Sequence, residues 1–260
     1  MTDELLAEWD VTLVRAANPG PLTLTGTNTW LVGRDPCWVV DPGPALDEHA
    51  AALLSAATAR GGIGGIAITH DHGDHGALAA TLAARAGGVE IAAMRHADAT
   101  RTIGHGDRVG PLRAIAVPGH APDHLCFAYE RVCFTGDAVL GEGSVFLWPD
   151  PGALAGYLRA LADLRGEEFA LLACGHGPVV SEVDAKLAGY IAHRFAREEG
   201  VVAALADGLR TVDELLDAAW SDVPAQLRPA AALTLAAHLD KLADEQRLPD
   251  GVERPLVPTL

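Results

Sequence analysis

Lysine is nearly missing from this chain. Only Lys186 and Lys241 occur in 260 residues, so arginine carries almost all of the positive charge. Nineteen Lys and Arg face 35 Asp and Glu, giving a formal net charge of −16. A protein that grips nucleic acid through its general surface needs a basic patch and usually a basic balance, so this acidity weighs against that class. Cysteine is scarce as well. Cys37, Cys126, Cys133 and Cys174 form no C-x-x-C pair, and their sparse spacing reads as buried or incidental thiols in a reducing compartment. No apolar run approaches the ~20 residues that span a bilayer. The first ten residues are acidic and hold no basic stretch leading into an apolar one, so no signal peptide is expected. These absences together set the expectation of a cytoplasmic protein with no membrane partner. What is present is ordinary globular composition, 49% hydrophobic and 21% charged, in a chain long enough to bury a sizeable core. At roughly 100–200 residues per domain, the length allows one large domain or one domain with a small appendage.

Short β-like runs alternate with Gly/Pro turns over the first 140 residues. Val11–Arg15, Thr27–Val32 and Cys37–Val40 read as strands, the last stopped by Asp41-Pro42-Gly43-Pro44. Leu46 to Arg60 has helical spacing, and Gly61–Gly65 resets the chain before a β-branched run at Ile66–Thr69. A helix over Ala77–Ala86 and a strand over Val89–Ala93 continue an order that favours an α/β architecture. Ala114–Val117, a hairpin of Leu125–Tyr129 with Val132–Thr135, a helix over Leu154–Leu164 and a strand over Phe169–Ala173 follow. After Pro178 the pattern turns helical: Glu182 to Ala206 with Gly200 as its weak point, a second helix opened by a Thr211/Glu214 capping box, and a third over Pro229 to Arg247. Pro249-Asp250-Gly251 then makes a turn before a short apolar tail. Three helices with a small β tail resemble a winged helix. The expected division is a catalytic domain over 1–195 and a winged-helix-like domain over 196–260.

Chemistry concentrates at the ends of the predicted strands. Residues 69–75 read Thr-His-Asp-His-Gly-Asp-His, four potential metal ligands in one strand-to-helix turn. His70 and His72 can grip one ion, and Asp74 and His75 a second beside it. Imidazole nitrogen and carboxylate oxygen suit zinc, manganese or iron. His120, Asp137 and His176 each follow a predicted strand and adjoin glycine, and strand ends are where α/β folds place their sites. Six of the eleven histidines fall within 69–75, 118–124 and 175–177, whereas a scattered histidine is an ordinary core or surface residue. His49, His96, His105, His193 and His238 are read that way.

His70-x-His72-x-Asp74-His75, Pro118-Gly119-His120, Gly136-Asp137 and Gly175-His176-Gly177-Pro178 resemble the full signature of the metallo-β-lactamase superfamily. Asn28 in Thr27-Asn28-Thr29-Trp30 and Asp41 in Val40-Asp41-Pro42-Gly43 match its early motifs. The resemblance covers about residues 10–180 and implies an αββα sandwich with metals at one edge. Gly136 to Gly143, Gly175 to Val179, Tyr190 to Arg194 and His238 to Leu242 extend the likeness toward the β-lactamase-like protein 2 group, over nearly the whole chain. That group includes an endoribonuclease acting on single-stranded RNA, and related thioesterases share its layout. Asp71 departs from the group, which often carries Trp or another bulky residue between the first two ligand histidines.

By this resemblance, His70, His72 and His120 hold one divalent ion, Asp74, His75 and His176 the other, and Asp137 bridges them. Zinc is the first expectation, with manganese or iron as alternatives. Aspartate rather than cysteine at 137 resembles a glyoxalase II type of site, so antibiotic hydrolysis is not expected. Two cations lower the pKa of a shared water toward ~7, and the hydroxide so formed attacks the substrate. Asp74 is assigned to orient it and later carry a proton. His124 reads either as a proton donor or as hydrogen-bonding support for the ligands, and Asp41 as support. Ester, thioester and RNA phosphodiester substrates all use this logic, and fold does not choose among them. A small ester or thioester is the first expectation and single-stranded RNA the alternative, with Arg194 and Arg197 as phosphate contacts or as a solvated helix face. A non-hydrolytic redox protein is a third reading, although no flavin or thiol domain is visible. Val201 to Leu260 holds five Lys/Arg against ten Asp/Glu, so duplex DNA is not an expected partner.

Overall fold

The computed structural model describes residues 6–258. Packing divides the chain into two units. One comprises Met1–Val117, Asp123–Ser144 and Glu167–Val183, the other Pro118–Pro122, Val145–Gly166 and Asp184–Leu260.

The first unit holds two sheets. Strands β1 (Val11–Arg15), β2 (Asn28–Val32), β3 (Cys37–Val40), β4 (Ile63–Ala67), β5 (Glu90–Ala93) and β6 (Arg101–Thr102) lie side by side in sequence order. The second sheet runs β11 (Leu171–Cys174), β10 (Val132–Gly136), β9 (Leu125–Tyr129), β8 (Leu112–Ala116) and β7 (Arg108–Val109). Alternation decides which residues face inward. Trp30, Val32 and Val40 from one sheet and Leu112, Leu125, Phe127, Val132 and Phe134 from the other fill one buried cluster. Residues of the opposite parity, Leu31, Cys37, Val39 and Ile66, pack with Leu53, Ala57 and Leu82 of helices α1 (Asp47–Thr58) and α3 (Ala79–Arg85). A one-turn helix α2 (Gly73–Gly76) precedes α3. The four cysteines are free and buried.

Strand direction places the chemistry. β3 and β4 are parallel, as are β10 and β11. β8 is antiparallel to β9, which is antiparallel to β10, so β8 and β10 point the same way. The carboxyl ends of these strands carry Asp41, the 69–75 segment, the turn to His124, Asp137 and His176. Two backbone links tie the sheets together at this edge: Leu125 N–H donates to Thr69 O (2.7 Å) and Asn28 N–H to Gly175 O (2.8 Å).

The fourth strand starts at Ile63, inside the Gly-rich stretch that reads as a break. The cause is space rather than flexibility. A Cβ on Gly65 would sit 2.5 Å from the Trp38 ring on the neighbouring strand, so glycine is what lets the indole lie across β4.

Helices build the second unit: α4 (Ala153–Gly166), α5 (Val183–Ala206), α6 (Val212–Ala219) and α7 (Arg228–Asp244). The Thr211/Glu214 capping box forms as the sequence predicts. Helix α5 runs unbroken through Gly200. This glycine admits Ala219, whose Cβ would stand 3.2 Å from a Cβ placed on it. Val201, Leu205, Leu215, Leu216, Trp220, Leu235 and Leu239 form this unit's core. The expected β tail is not a strand: residues 252–258 are irregular, and Pro255 and Pro258 have no N–H to give a ladder. Among the described residues no helix is long and apolar enough to cross a membrane.

Candidate metal centre

Four ligand atoms gather where the carboxyl ends of the strands converge. His176 Nε2 lies 3.2 Å from Asp74 Oδ2 and 3.4 Å from Asp137 Oδ1. His75 Nε2 lies 3.2 Å from His176 Nε2, 3.4 Å from Asp137 Oδ1 and 3.7 Å from Asp74 Oδ2. A tetrahedral zinc site with bonds of 2.0–2.1 Å has ligand-to-ligand edges of about 3.3–3.4 Å. The two histidine nitrogens therefore stand from each other, and from the two carboxylates, at close to the spacing of such a shell. Within the first unit, two groups each bring their ligand atoms within 4.8 Å of one another: Asp74, His75 and His176; and His70, His75 and Asp137. His120 is carried on the turn joining the paired strands β8 and β9, in a segment of the second unit. Thus five of the seven residues expected from the sequence as ligands enter these groups, His75 in both.

Hydrogen bonds fix which ring nitrogen each histidine offers. A carboxylate only accepts, so His75 Nδ1–H donates to Asp41 Oδ2 (2.8 Å). The Thr69 hydroxyl donates to the same oxygen (2.8 Å), and so accepts from His70 Nδ1–H (2.9 Å). His176 Nδ1–H donates to Gly26 O (3.4 Å) and His120 Nδ1–H to Phe146 O (3.2 Å). In all four rings Nδ1 is the nitrogen held by the protein, which leaves Nε2 as the one free to bind an ion once it gives up any proton. His72 differs, placing Nδ1 2.9 Å from His70 Nε2. His124 has the opposite tautomer to the four, because its Nε2 accepts the Asp137 backbone N–H (3.1 Å). It is fully buried and its ring stacks on His70 at 4.8 Å between centroids.

The electrostatics of this edge favour added positive charge. Burial alone would depress the His75 imidazole, but the Asp137 and Asp41 carboxylates outweigh it and hold its pKa well above the ordinary range. Burial would raise the Asp74 carboxyl, yet the His176 hydrogen bond and the His75 charge bring it down. His72 is pushed down, first by burial and then by His75. A cluster in which two carboxylates recruit a proton onto a buried imidazole is one where a cation would replace that proton.

Close approach of backbone is built in. A Cβ on Gly175 would meet His75 Cε1 at 2.8 Å and Asp137 Oδ1 at 2.9 Å, so the turn before His176 needs glycine for room. Asn28 Nδ2 donates to Cys174 O and Gly177 O, both at 2.9 Å, and clamps that turn on either side. Asp41 also accepts Thr69 N–H (2.8 Å), giving one buried carboxylate three partners.

Of the histidines read as unconnected with the site, His49 is a buried partner of Thr29 (2.9 Å) and His238 a buried member of the second unit. Sequence reasoning passed over Thr69 and Asp123. Thr69 lies one residue before the motif and Asp123 one before His124, with no spacing rule to single them out. Arg194 and Arg197 fit neither reading made of them. Arg194 is 2% exposed and donates to Val145 O, and Arg197 donates to Ala219 O and pairs with Asp222.

Comparison with known proteins agrees with this geometry. Residues 22–105 and 96–176 match the model of the metallo-β-lactamase superfamily, and 211–249 that of the β-lactamase-associated winged helix domain. A β-lactamase-like protein 2 homolog of Caenorhabditis elegans is 32% identical, over 90% of this chain and 84% of its own. An atrochrysone carboxyl ACP thioesterase of Aspergillus chevalieri is 31% identical, over 94% and 85%. A metallo-β-lactamase family protein from Thermus thermophilus superposes with a TM-score of 0.75 at 22% identity, covering 91% of this chain and 94% of its own, and so shares the fold. With its αβ sheets, its His/Asp edge and its C-terminal winged helix, the chain belongs to the metallo-β-lactamase superfamily of metal-dependent hydrolases.

Proposed function

We propose that this protein is a dinuclear metal-dependent hydrolase of an ester or thioester, with zinc as the first candidate metal. The observation that carries the reading is that His75 Nε2 and His176 Nε2 lie 3.2 Å apart and each stands 3.2–3.7 Å from Asp74 Oδ2 and Asp137 Oδ1, at the edge where the strands end. Their donor set of imidazole and carboxylate fits zinc, manganese or iron. His70, His72 and His120 would hold one ion and Asp74, His75 and His176 the other, with the Asp137 carboxylate offering an oxygen to each. Divalent cations held there would lower the pKa of water toward neutrality and would polarise the substrate's carbonyl oxygen.

The chain's own residues do the rest. Asp74 is the most exposed of the carboxylates at the cluster, with 30% of its side chain accessible, so it can orient an entering water and carry a proton outward. Asp41 and Thr69 hold His75 and His70 in the tautomer that presents Nε2. His124 serves as support in this reading, since its Nε2 is engaged by the Asp137 backbone.

An acyl substrate is favoured over RNA by the disposition of arginine. Both helix arginines that would meet phosphates are committed inside the second unit. Arg228 pairs with Asp213 and Asp217, and Lys241 and Arg247 with Glu198 and Glu245. Cations so neutralised release few counterions on binding a polyanion, which also argues against duplex DNA. The thioesterase among the relatives supports the same choice. The test is hydrolysis by metal-loaded protein of acyl thioesters, p-nitrophenyl esters, S-lactoylglutathione, lactones, a chromogenic β-lactam and single-stranded RNA. Turnover of a thioester or ester above the others is expected. Turnover of RNA alone would replace the acyl reading, and turnover of nothing by protein holding two ions would end it.

A further inference from the structure

We propose that Asp123 is a positioning residue that sets the geometry of the His70/His72 pair, and that Asp123 and His124 together act as one two-sided brace between the metal-binding turns. The inference rests on the metal reading above. The Asp123 side chain is 5% exposed, on the chain leading into β9. Its Oδ2 accepts the backbone N–H of Asp71 at 3.0 Å. That N–H belongs to the peptide plane between His70 and Asp71, so the bond fixes the last torsion of His70 and the first of Asp71. These torsions decide how His70 and His72, two residues apart, spread toward a common ion. The other oxygen, Oδ1, lies 3.5 Å from Arg95 Nη2, and Arg95 Nε lies 3.9 Å from Asp71 Oδ2. Arg95 thus ties the brace to the turn it supports, from a position 52% exposed.

The neighbouring residue works in the opposite direction. His124 Nε2 accepts the Asp137 N–H at 3.1 Å and its ring lies flat on His70, 27° from parallel. One dipeptide therefore touches the first histidine turn by a carboxylate and a ring face, and the bridging aspartate by a ring nitrogen. Since the chain from Leu125 onward is paired with β10 and β8, the brace is anchored in the second sheet while Thr69–His75 extends from the first. Asp71 has its side chain beside this arginine rather than among the ligand groups. Its backbone N–H is what the brace uses.

The experiment is a two-step metal titration against a chromophoric chelator, with zinc, paired with the visible spectrum of the cobalt-substituted protein. The proteins are wild type, Asp123→Ala, Asp123→Asn and Arg95→Gln. Asp123→Ala removes the acceptor and should weaken one of the two ions by roughly 10–100-fold, the range for loss of a residue that orients a ligand. The second ion should change less than about 3-fold, and the cobalt bands of one site only should shift. Asp123→Asn keeps an oxygen for the Asp71 N–H and should recover most of the affinity. Arg95→Gln, on an exposed side chain, should weaken the same ion by several-fold and serves as the decisive variant if Asp123→Ala does not fold. A merely structural role would weaken both ions together. Equal weakening of both, no weakening in Asp123→Ala, or Asp123→Asn as poor as Asp123→Ala would overturn the inference. Wild-type protein that binds no ion would instead overturn the metal reading, and this inference with it.

Discussion

Asp41→Asn isolates a single charge at the centre of this account. Asp41 is 1% exposed and its carboxylate accepts from Thr69 N–H, Thr69 Oγ1 and His75 Nδ1, all at 2.8 Å. Its backbone has φ of 52°, a conformation asparagine tolerates well. The substitution therefore keeps size and backbone while removing the charge, and it turns one acceptor into a donor facing the Thr69 and His75 donors. Loss of an outer carboxylate that orients a ligand histidine costs roughly 10–100-fold in metal affinity, about 1.4–2.8 kcal/mol. The pH dependence carries a sharper signature. In the metal-free protein His75 keeps its proton well above the ordinary histidine range, because Asp137 and Asp41 outweigh its burial. A metal must displace that proton, so apparent affinity for the ion at His75 falls by about tenfold per pH unit below the raised pKa. Without the Asp41 charge the proton is held less tightly and competes only at lower pH. The deficit of Asp41→Asn should consequently be largest at pH 8.5 and shrink toward pH 6. Chelator competition at half-unit intervals across this range reads both quantities. A deficit that grows on acidification, or affinity equal to wild type at pH 8.5, would refute the proposed role of Asp41.

Gly175→Ala should fold but bind metal at least about tenfold more weakly, because the added methyl would stand 2.8 Å from His75 Cε1 and 2.9 Å from Asp137 Oδ1 and must push one of them aside; circular dichroism with chelator competition checks both parts. A second pH effect belongs to the other unit. Burial, followed by the charges of Arg194 and Lys241, pushes His238 down to about 3. The unfolded chain takes up this proton near the ordinary histidine value and the folded one does not, so stability is complete above about pH 6.5 and declines as pH falls toward 3. The slope is about 1.4 kcal/mol per pH unit, or roughly 2 kcal/mol between pH 7 and 5. Urea unfolding followed by tryptophan fluorescence should show this loss in wild type and a flatter profile in His238→Leu; parallel profiles would remove His238 as the cause.

Much of the site was legible because its residues are chemically conspicuous. Imidazoles and carboxylates beside glycine at predicted strand ends announce metal chemistry before any contact is known, and strand direction then requires them to share an edge. The supporting residues were less visible. Asp41 showed through its motif. Thr69 and Asp123 act through a hydroxyl and a backbone N–H contributed by distant segments, and such pairings follow only from the register of two sheets. The same reason hid the start of β4: Gly64 and Gly65 look like a break until Trp38 is seen lying across the latter. Arg194 was misplaced because helical spacing identifies a face but not what covers it. The winged-helix helices were readable from periodicity and the Thr211/Glu214 cap, whereas the anticipated β tail failed on two prolines.

The most direct measurement is the number of divalent ions bound per chain, by elemental analysis of protein purified without chelator, for wild type and for Asp137→Asn. Two ions are expected in wild type and fewer than two in the variant, with the fold retained by circular dichroism. Correctly folded wild type holding no divalent ion, or the variant holding two as firmly as wild type, would contradict it.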